Sequence, residues 1–129
     1  MSRILVVDDD PDGAEPVVRF LRGCGHDVRY APDGHEALAL VSDSRPDLVL
    51  LDLLMPKMDG VSFLRVLRSY LGWQHLPVVV LTAHPDGPEA KRAAALNTSR
   101  VVCKGSVDLP DLGVIVEQQL HDGGDVRHA

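Results

Sequence analysis

The sequence predicts an α/β domain: a doubly wound, five-stranded parallel sheet with helices on both faces. Three observations predict it. Short apolar runs alternate five times with stretches of helical spacing, which is the pattern of repeated βα units. The runs Arg3–Val7, Leu48–Leu51 and Leu76–Leu81 are almost continuously apolar, as strands buried on both faces are. Four of the runs also end abruptly in polar or charged residues. That places those residues at the carboxyl ends of strands, the edge where ligands and chemistry collect in open α/β sheets.

Each element has its own signal. The first strand, Arg3–Val7, ends in Asp8-Asp9-Asp10. Val17, Leu21 and Cys24 share one face of a helix that starts near Pro16 or is kinked there, because proline in a helix interior loses a backbone hydrogen bond. Gly25 stops it. Asp27–Ala31 is a weaker strand, Pro32-Asp33-Gly34 a turn, and His35–Ser44 a helix with Ala37, Leu38 and Val41 inward. Pro46 leads into the third strand, which ends at Asp52. Asp59-Gly60 opens a helix in which Val61, Leu64, Leu67 and Leu71 recur at helical spacing until Gly72. The fourth strand ends at Thr82, and Pro88 is placed to start a helix over Glu89–Leu96. Arg100–Cys103 is the last strand, followed by Lys104. Leu109–Leu120 is the last helix, capped by Asp108.

Composition bounds the function. A chain of 129 residues, 45% hydrophobic and 25% charged, suits one domain with a real core. A net charge of -6 without a basic cluster argues against direct contact with nucleic acid or an anionic membrane. No apolar run is long enough to cross a bilayer, and the start of the chain does not resemble a signal peptide. Cys24 and Cys103 lie far apart and form no CxxC pair, which points to a reduced, cytoplasmic setting. The last nine residues lack apolar periodicity. The expected domain is therefore 1–122, with a disordered tail at 123–129.

The strand ends form a constellation: Asp8, Asp9 and Asp10 on the first, Asp52 on the third, Thr82 on the fourth and Lys104 on the fifth. One acid at a strand end is ordinarily just solvated, but four polar strand ends after four apolar runs need another explanation. Neighbouring carboxylates repel and require a cation or a proton. An all-oxygen site without His or Cys favours a hard ion such as magnesium. Lys104 adds positive charge and Thr82 a hydroxyl donor, which suits a phosphoryl group in transfer. The natural nucleophile is the central carboxylate, Asp52, giving an aspartyl phosphate.

With ILVVDDDP, LVLLDLLMPKMDG, VVVLTA and the Lys of VVCKG in order, the chain resembles a receiver domain of the two-component response-regulator family from Arg3 to about Leu120. The resemblance implies a flavodoxin-like (βα)5 fold with strand order 2-1-3-4-5. It implies that Asp8 and Asp9 hold magnesium together with Asp52 and the backbone carbonyl of Leu54. Asp52 is then the phosphoacceptor, Thr82 turns toward the phosphoryl group and Lys104 pairs with it. The implied partners are a histidine kinase or a histidine phosphotransfer protein, and an unknown downstream protein contacted in the cytoplasm. The domain would catalyse only its own phosphorylation and slow dephosphorylation, and it would stand alone without an output domain. Asp10, beside the pair, reads as a helix cap or a solvated acid.

Several positions depart from the family pattern. Gly105 stands where the family carries proline after the lysine, and Val101 where it carries a switch Tyr or Phe. Gly13 and Pro16 disturb the first helix, and a Gly-Ala pair is missing around Leu96-Asn97. Gly105 and Val101 lend weight to an alternative, a receiver-like scaffold that binds proteins without being phosphorylated. A phosphatase of the haloacid dehalogenase type would need an acid where Leu54 stands, and a flavodoxin would need a Ser/Thr-rich loop after the first strand. The histidines at 26, 35, 75, 121 and 128 read as surface residues, His84 as a side chain at the rim of the site, and Cys103 as an inert core residue.

Overall fold

The computed structural model describes residues 2–53, 59–69 and 73–128, with side chains as far as His121. The elements in chain order are β1 (Arg3–Val7), α1 (Pro11–Gly23), β2 (Asp27–Ala31), α2 (Gly34–Asp43) and β3 (Leu48–Asp52). They continue with α3 (Gly60–Ser69), β4 (Val78–Thr82), α4 (Pro88–Ala94), β5 (Arg100–Cys103) and α5 (Leu109–His128). The strands form one sheet in the order β2-β1-β3-β4-β5, and every pairing is parallel. This is the predicted doubly wound arrangement.

Alternation along the strands divides the core into two layers. Ile4, Val6, Leu48, Leu50, Val79 and Leu81 face α1 and α5, where they meet Ala14, Val18, Leu21, Leu112, Ile115 and Val116. Leu5, Val7, Val49, Leu51, Val78 and Val80 face the other way, onto Ala37 and Val41 of α2, Leu64 and Leu67 of α3 and Ala90 and Ala93 of α4. Both faces of β1, β3 and β4 are covered, so their sequences read as unbroken apolar runs.

Local chemistry explains most boundaries. The Asp33 carboxylate accepts a hydrogen bond from the Glu36 amide at 2.9 Å, capping α2. The Asp108 carboxylate accepts from the Asp111 amide at 2.8 Å and caps α5 as expected. Pro77 has no N–H to donate, and β4 begins just after it at Val78 rather than at Leu76. Helix α4 stops at Ala94, two residues before the expected end. Ala95 is its C-cap, and Asn97 follows at φ 64°, a left-handed conformation that asparagine tolerates.

Other expectations are corrected. Helix α1 begins at Pro11, not near Pro16, and carries Pro16 inside it. Pro11 sits in the first turn, where a missing N–H costs nothing, so the helix nucleates there and Pro16 rides on its exposed side. Cys24 is not on the buried face; it is the exposed C-cap, and Ala14, Val18 and Leu21 form that face. Helix α5 continues to His128 instead of ending at Leu120. Its one proline, Pro110, lies in the first turn, and a formed helix gains one hydrogen bond for each residue added, although Gly123 and Gly124 each cost about 1 kcal/mol against alanine. His26 is not a surface residue. Its side chain is only 8% exposed, and its Nε2 lies 2.7 Å from Glu117 Oε1, joining the start of β2 to α5.

Candidate functional site

Strand register assembles the site. Val7 pairs with Leu51, so Asp8 and Asp52 leave their strands side by side. Thr82 pairs with Cys103, so Lys104 emerges one residue further along the same edge. Parity then sorts the side chains. Asp8, Asp52 and Lys104 each follow by two residues a side chain of the α1/α5 layer, namely Val6, Leu50 and Val102. Thr82 follows Val80, which belongs to the opposite layer.

Asp8, Asp9 and Asp52 offer carboxylate oxygens that all lie within 4.8 Å of one another. Lys104 Nζ donates to Asp8 Oδ2 at 3.0 Å and lies 3.7 Å from Asp52 Oδ2. Asp8 is 6% exposed, whereas Asp9 faces solvent. Partial burial of the Lys104 ammonium acts to lower its pKa. The Asp8 hydrogen bond and the charges of Asp52, Asp8 and Asp10 outweigh that and raise it above the ordinary 10.5. The lysine therefore stays charged and offsets part of the carboxylate repulsion. The donor set is all oxygen, compact and open to solvent on the Asp9 side, which fits a magnesium ion that keeps several waters. Asp8, Asp9 and Asp52 would hold it. Leu54 lies outside the described residues.

Asp8 is held by its backbone and its side chain alike. Its amide donates to Ala31 O at 3.1 Å, its Oδ1 accepts from the Asp10 amide at 3.0 Å, and its backbone carbonyl accepts from the Tyr30 hydroxyl at 2.6 Å. Tyr30 has no signal in the sequence, because a tyrosine in an edge strand reads as ordinary β-sheet composition. Burial, and then Asp8, Asp9, Asp10 and Asp33, push its phenol above the usual 10.0. Asp10 occupies the N-cap position of α1, but its side chain makes no capping hydrogen bond.

Thr82 is 4% exposed. Its Oγ1 accepts from the His84 amide at 3.1 Å, which leaves the hydroxyl hydrogen available to donate, and its carbonyl accepts from the Lys104 amide at 2.8 Å. The His84 side chain is exposed, as expected of a rim residue. Gly60 is demanded by space: a Cβ there would lie 2.6 Å from both Asp52 O and Leu53 Cα. The glycine lets α3 approach the end of β3, where its amide donates to Leu53 O at 2.8 Å. A cavity of about 570 Å³ between α1 and α5 opens at Asp8, Asp52 and Lys104.

The departures from the family pattern are accommodated locally. The Lys104–Gly105 peptide is trans, and the Ser106 amide closes a turn onto Cys103 O at 3.1 Å. Val101 is half-buried against the α2–α4 layer. Cys103 is not a core residue. It ends an edge strand that is only partly covered, and hydrogen bonds from the Ser106 side chain and the Gly105 amide lower its thiol pKa.

A parallel 2-1-3-4-5 sheet with an acid triad and a lysine at one carboxyl edge defines a class: flavodoxin-like domains built for phosphoryl chemistry. The family model described as the response regulator receiver domain matches residues 4–116. The chain belongs to that family, the receiver domains of two-component response regulators, whose standard function is a phosphorylation switch. It is 52% identical over 85 residues to the DNA-binding response regulator MtrA of Mycolicibacterium smegmatis, an alignment covering 66% of this chain and 36% of that protein. It is 46% identical over 95 residues to the response regulator MprA of Mycolicibacterium vanbaalenii, covering 74% of this chain and 39% of the relative. The matched stretch thus spans well under half the length of these relatives. Among solved structures, it resembles the signal receiver domain of a histidine kinase from Syntrophus aciditrophicus, with a TM-score of 0.85 and 30% identity over 95% of this chain and 92% of the other. It also resembles Vibrio cholerae CheY4, with a TM-score of 0.83 and 28% identity over 92% of this chain and 98% of the other. Among the described residues, no helix is long and apolar enough to cross a membrane.

Proposed function

We propose that Asp52 accepts a phosphoryl group from a phosphohistidine on a histidine kinase or histidine phosphotransfer protein. The observation that carries this reading is the meeting of three carboxylates within 4.8 Å beside the Lys104 ammonium. Asp52 Oδ forms a bond to phosphorus as the N–P bond of the donor breaks. The departing imidazole nitrogen keeps the electron pair and takes a proton from solvent. Asp8, Asp9, Asp52 and, as the resemblance implies, the backbone carbonyl of Leu54 would hold magnesium, which would supply neutralisation of charge on the phosphoryl oxygens. Lys104 Nζ already donates to Asp8 and lies beside Asp52, and its two remaining donors are free to pair with the phosphoryl group. The Thr82 hydroxyl hydrogen supplies a further donor once the aspartyl phosphate forms. Catalysis here is positioning and charge neutralisation, so the domain promotes only its own phosphorylation and slow dephosphorylation.

The working unit in this reading is 1–122, with 123–129 as an appendage. It acts in the cytoplasm through contact with a downstream protein, and it touches neither nucleic acid nor membrane itself. The test is incubation with magnesium and a small phosphodonor, read by intact mass. The parent should gain one phosphoryl adduct, and Asp52→Ala and Asp9→Ala should gain none. A parent that gains no adduct would favour the protein-binding scaffold, and labelling that persists in Asp52→Ala would displace Asp52 as the acceptor.

A further inference from the structure

We infer that Tyr30 is a positioning residue for the magnesium site, its hydroxyl holding the turn that presents Asp8 and Asp9 from a neighbouring strand. The inference rests on the magnesium reading proposed above. The Asp8 carbonyl that accepts this hydrogen bond belongs to the Asp8–Asp9 peptide. That peptide is planar, so fixing its carbonyl direction restricts the Asp8 ψ and Asp9 φ angles together. Those two angles decide where the chain leaves β1 and where the exposed Asp9 carboxylate lies.

The other restraints on Asp8 cannot do this. The bond from its amide to Ala31 O continues the sheet ladder and fixes the strand before the turn. The bonds to its carboxylate come from the Asp10 amide and from Lys104. Both end on the carboxylate, the group that would also bind the cation, so they are open to rearrangement when the site fills. The Tyr30 bond is independent of the cation. It is short, at 2.6 Å, and comes from a ring packed against the Ile4 and Val28 layer. A phenol keeps its proton near neutral pH, so the hydroxyl is a dependable donor there. Magnesium demands near-ideal octahedral geometry, so preorganised carboxylates bind it better than mobile ones.

The experiment is a magnesium titration of the metal-free full chain by calorimetry, comparing the parent with Tyr30→Phe. Phenylalanine keeps the ring packing and removes only the hydroxyl. The variant should bind magnesium about five- to tenfold more weakly. Without metal, its Asp9 and Asp10 amides should exchange with solvent faster than in the parent, while amides in the centre of β1 stay protected. A lower melting temperature with unchanged magnesium affinity would make Tyr30 merely structural and overturn the inference. Absence of magnesium binding in the parent would instead overturn the metal reading, and the inference with it.

Discussion

Arg68 near the end of α3 should be costly to remove from this fold. Its guanidinium donates to four backbone carbonyls: Leu96 at 3.0 Å, Trp73 and Leu76 at 2.8 Å each, and Asn97 at 2.9 Å. It thereby ties the end of α3 to the approach to β4 and to the turn between α4 and β5. Burial lowers its pKa, which marks a charge partly withdrawn from water and compensated by those carbonyls. In Arg68→Met the stem survives and all four bonds are lost. The Asn97 bond is exposed and water replaces it. The other three are partly buried and contribute about 1 kcal/mol each. The predicted loss is therefore about 3 kcal/mol. Unfolding entropy for 129 residues is roughly 0.27 kcal/mol/K, so the melting temperature should fall by about 11 °C. Thermal unfolding by circular dichroism measures this. Phosphorylation of Asp52 at a temperature well below the transition should be unchanged, because these carbonyls precede β4 and β5 while the acids lie beyond the strands' other ends. A melting temperature within about 3 °C of the parent would show that water satisfies the buried carbonyls and would refute the reasoning.

Gly60→Ala places a Cβ 2.6 Å from backbone atoms of Asp52 and Leu53, contacts that no rotamer change can relieve. It should cost about 1–3 kcal/mol and slow phosphorylation as the end of β3 shifts; an unchanged urea midpoint would contradict the packing seen here. The Tyr30 phenol is held above its ordinary 10.0, so the folded state keeps this proton more tightly than the unfolded chain does. That contribution to stability is complete below about pH 10 and is lost as pH rises through the folded-state value. In an alkaline absorbance titration the parent should show a tyrosine step above 10, and Tyr30→Phe should remove it; a titration curve whose late part is unchanged in Tyr30→Phe would contradict the burial and acid surroundings of Tyr30.

The amino-acid sequence by itself determined the architecture. Unbroken apolar runs such as Leu48–Leu51 fit strands covered on both faces, and their alternation with helical spacing leaves a parallel sheet as the economical solution. It also marked Asp8, Asp9, Asp52, Thr82 and Lys104, because each ends an apolar run. Local rules were weaker at boundaries. Pro16 reads as the start of a helix or a kink within one, yet α1 begins at Pro11 and runs through it, since packing of Ala14 and Val18 outweighs one missing hydrogen bond. His26 reads as a surface residue until α5 brings Glu117 to it across 91 positions.

Only the tertiary structure decided how the marked residues meet. Parallel register sets Asp8 beside Asp52, and side-chain parity turns Lys104 toward them while Thr82 belongs to the other layer. Tyr30 and Arg68 carry no sequence signal because their partners are backbone carbonyls, which every residue possesses and no residue type announces. Which carbonyl lies within reach depends on how strands and helices far apart in the chain come to rest against one another, and that is information no local pattern contains.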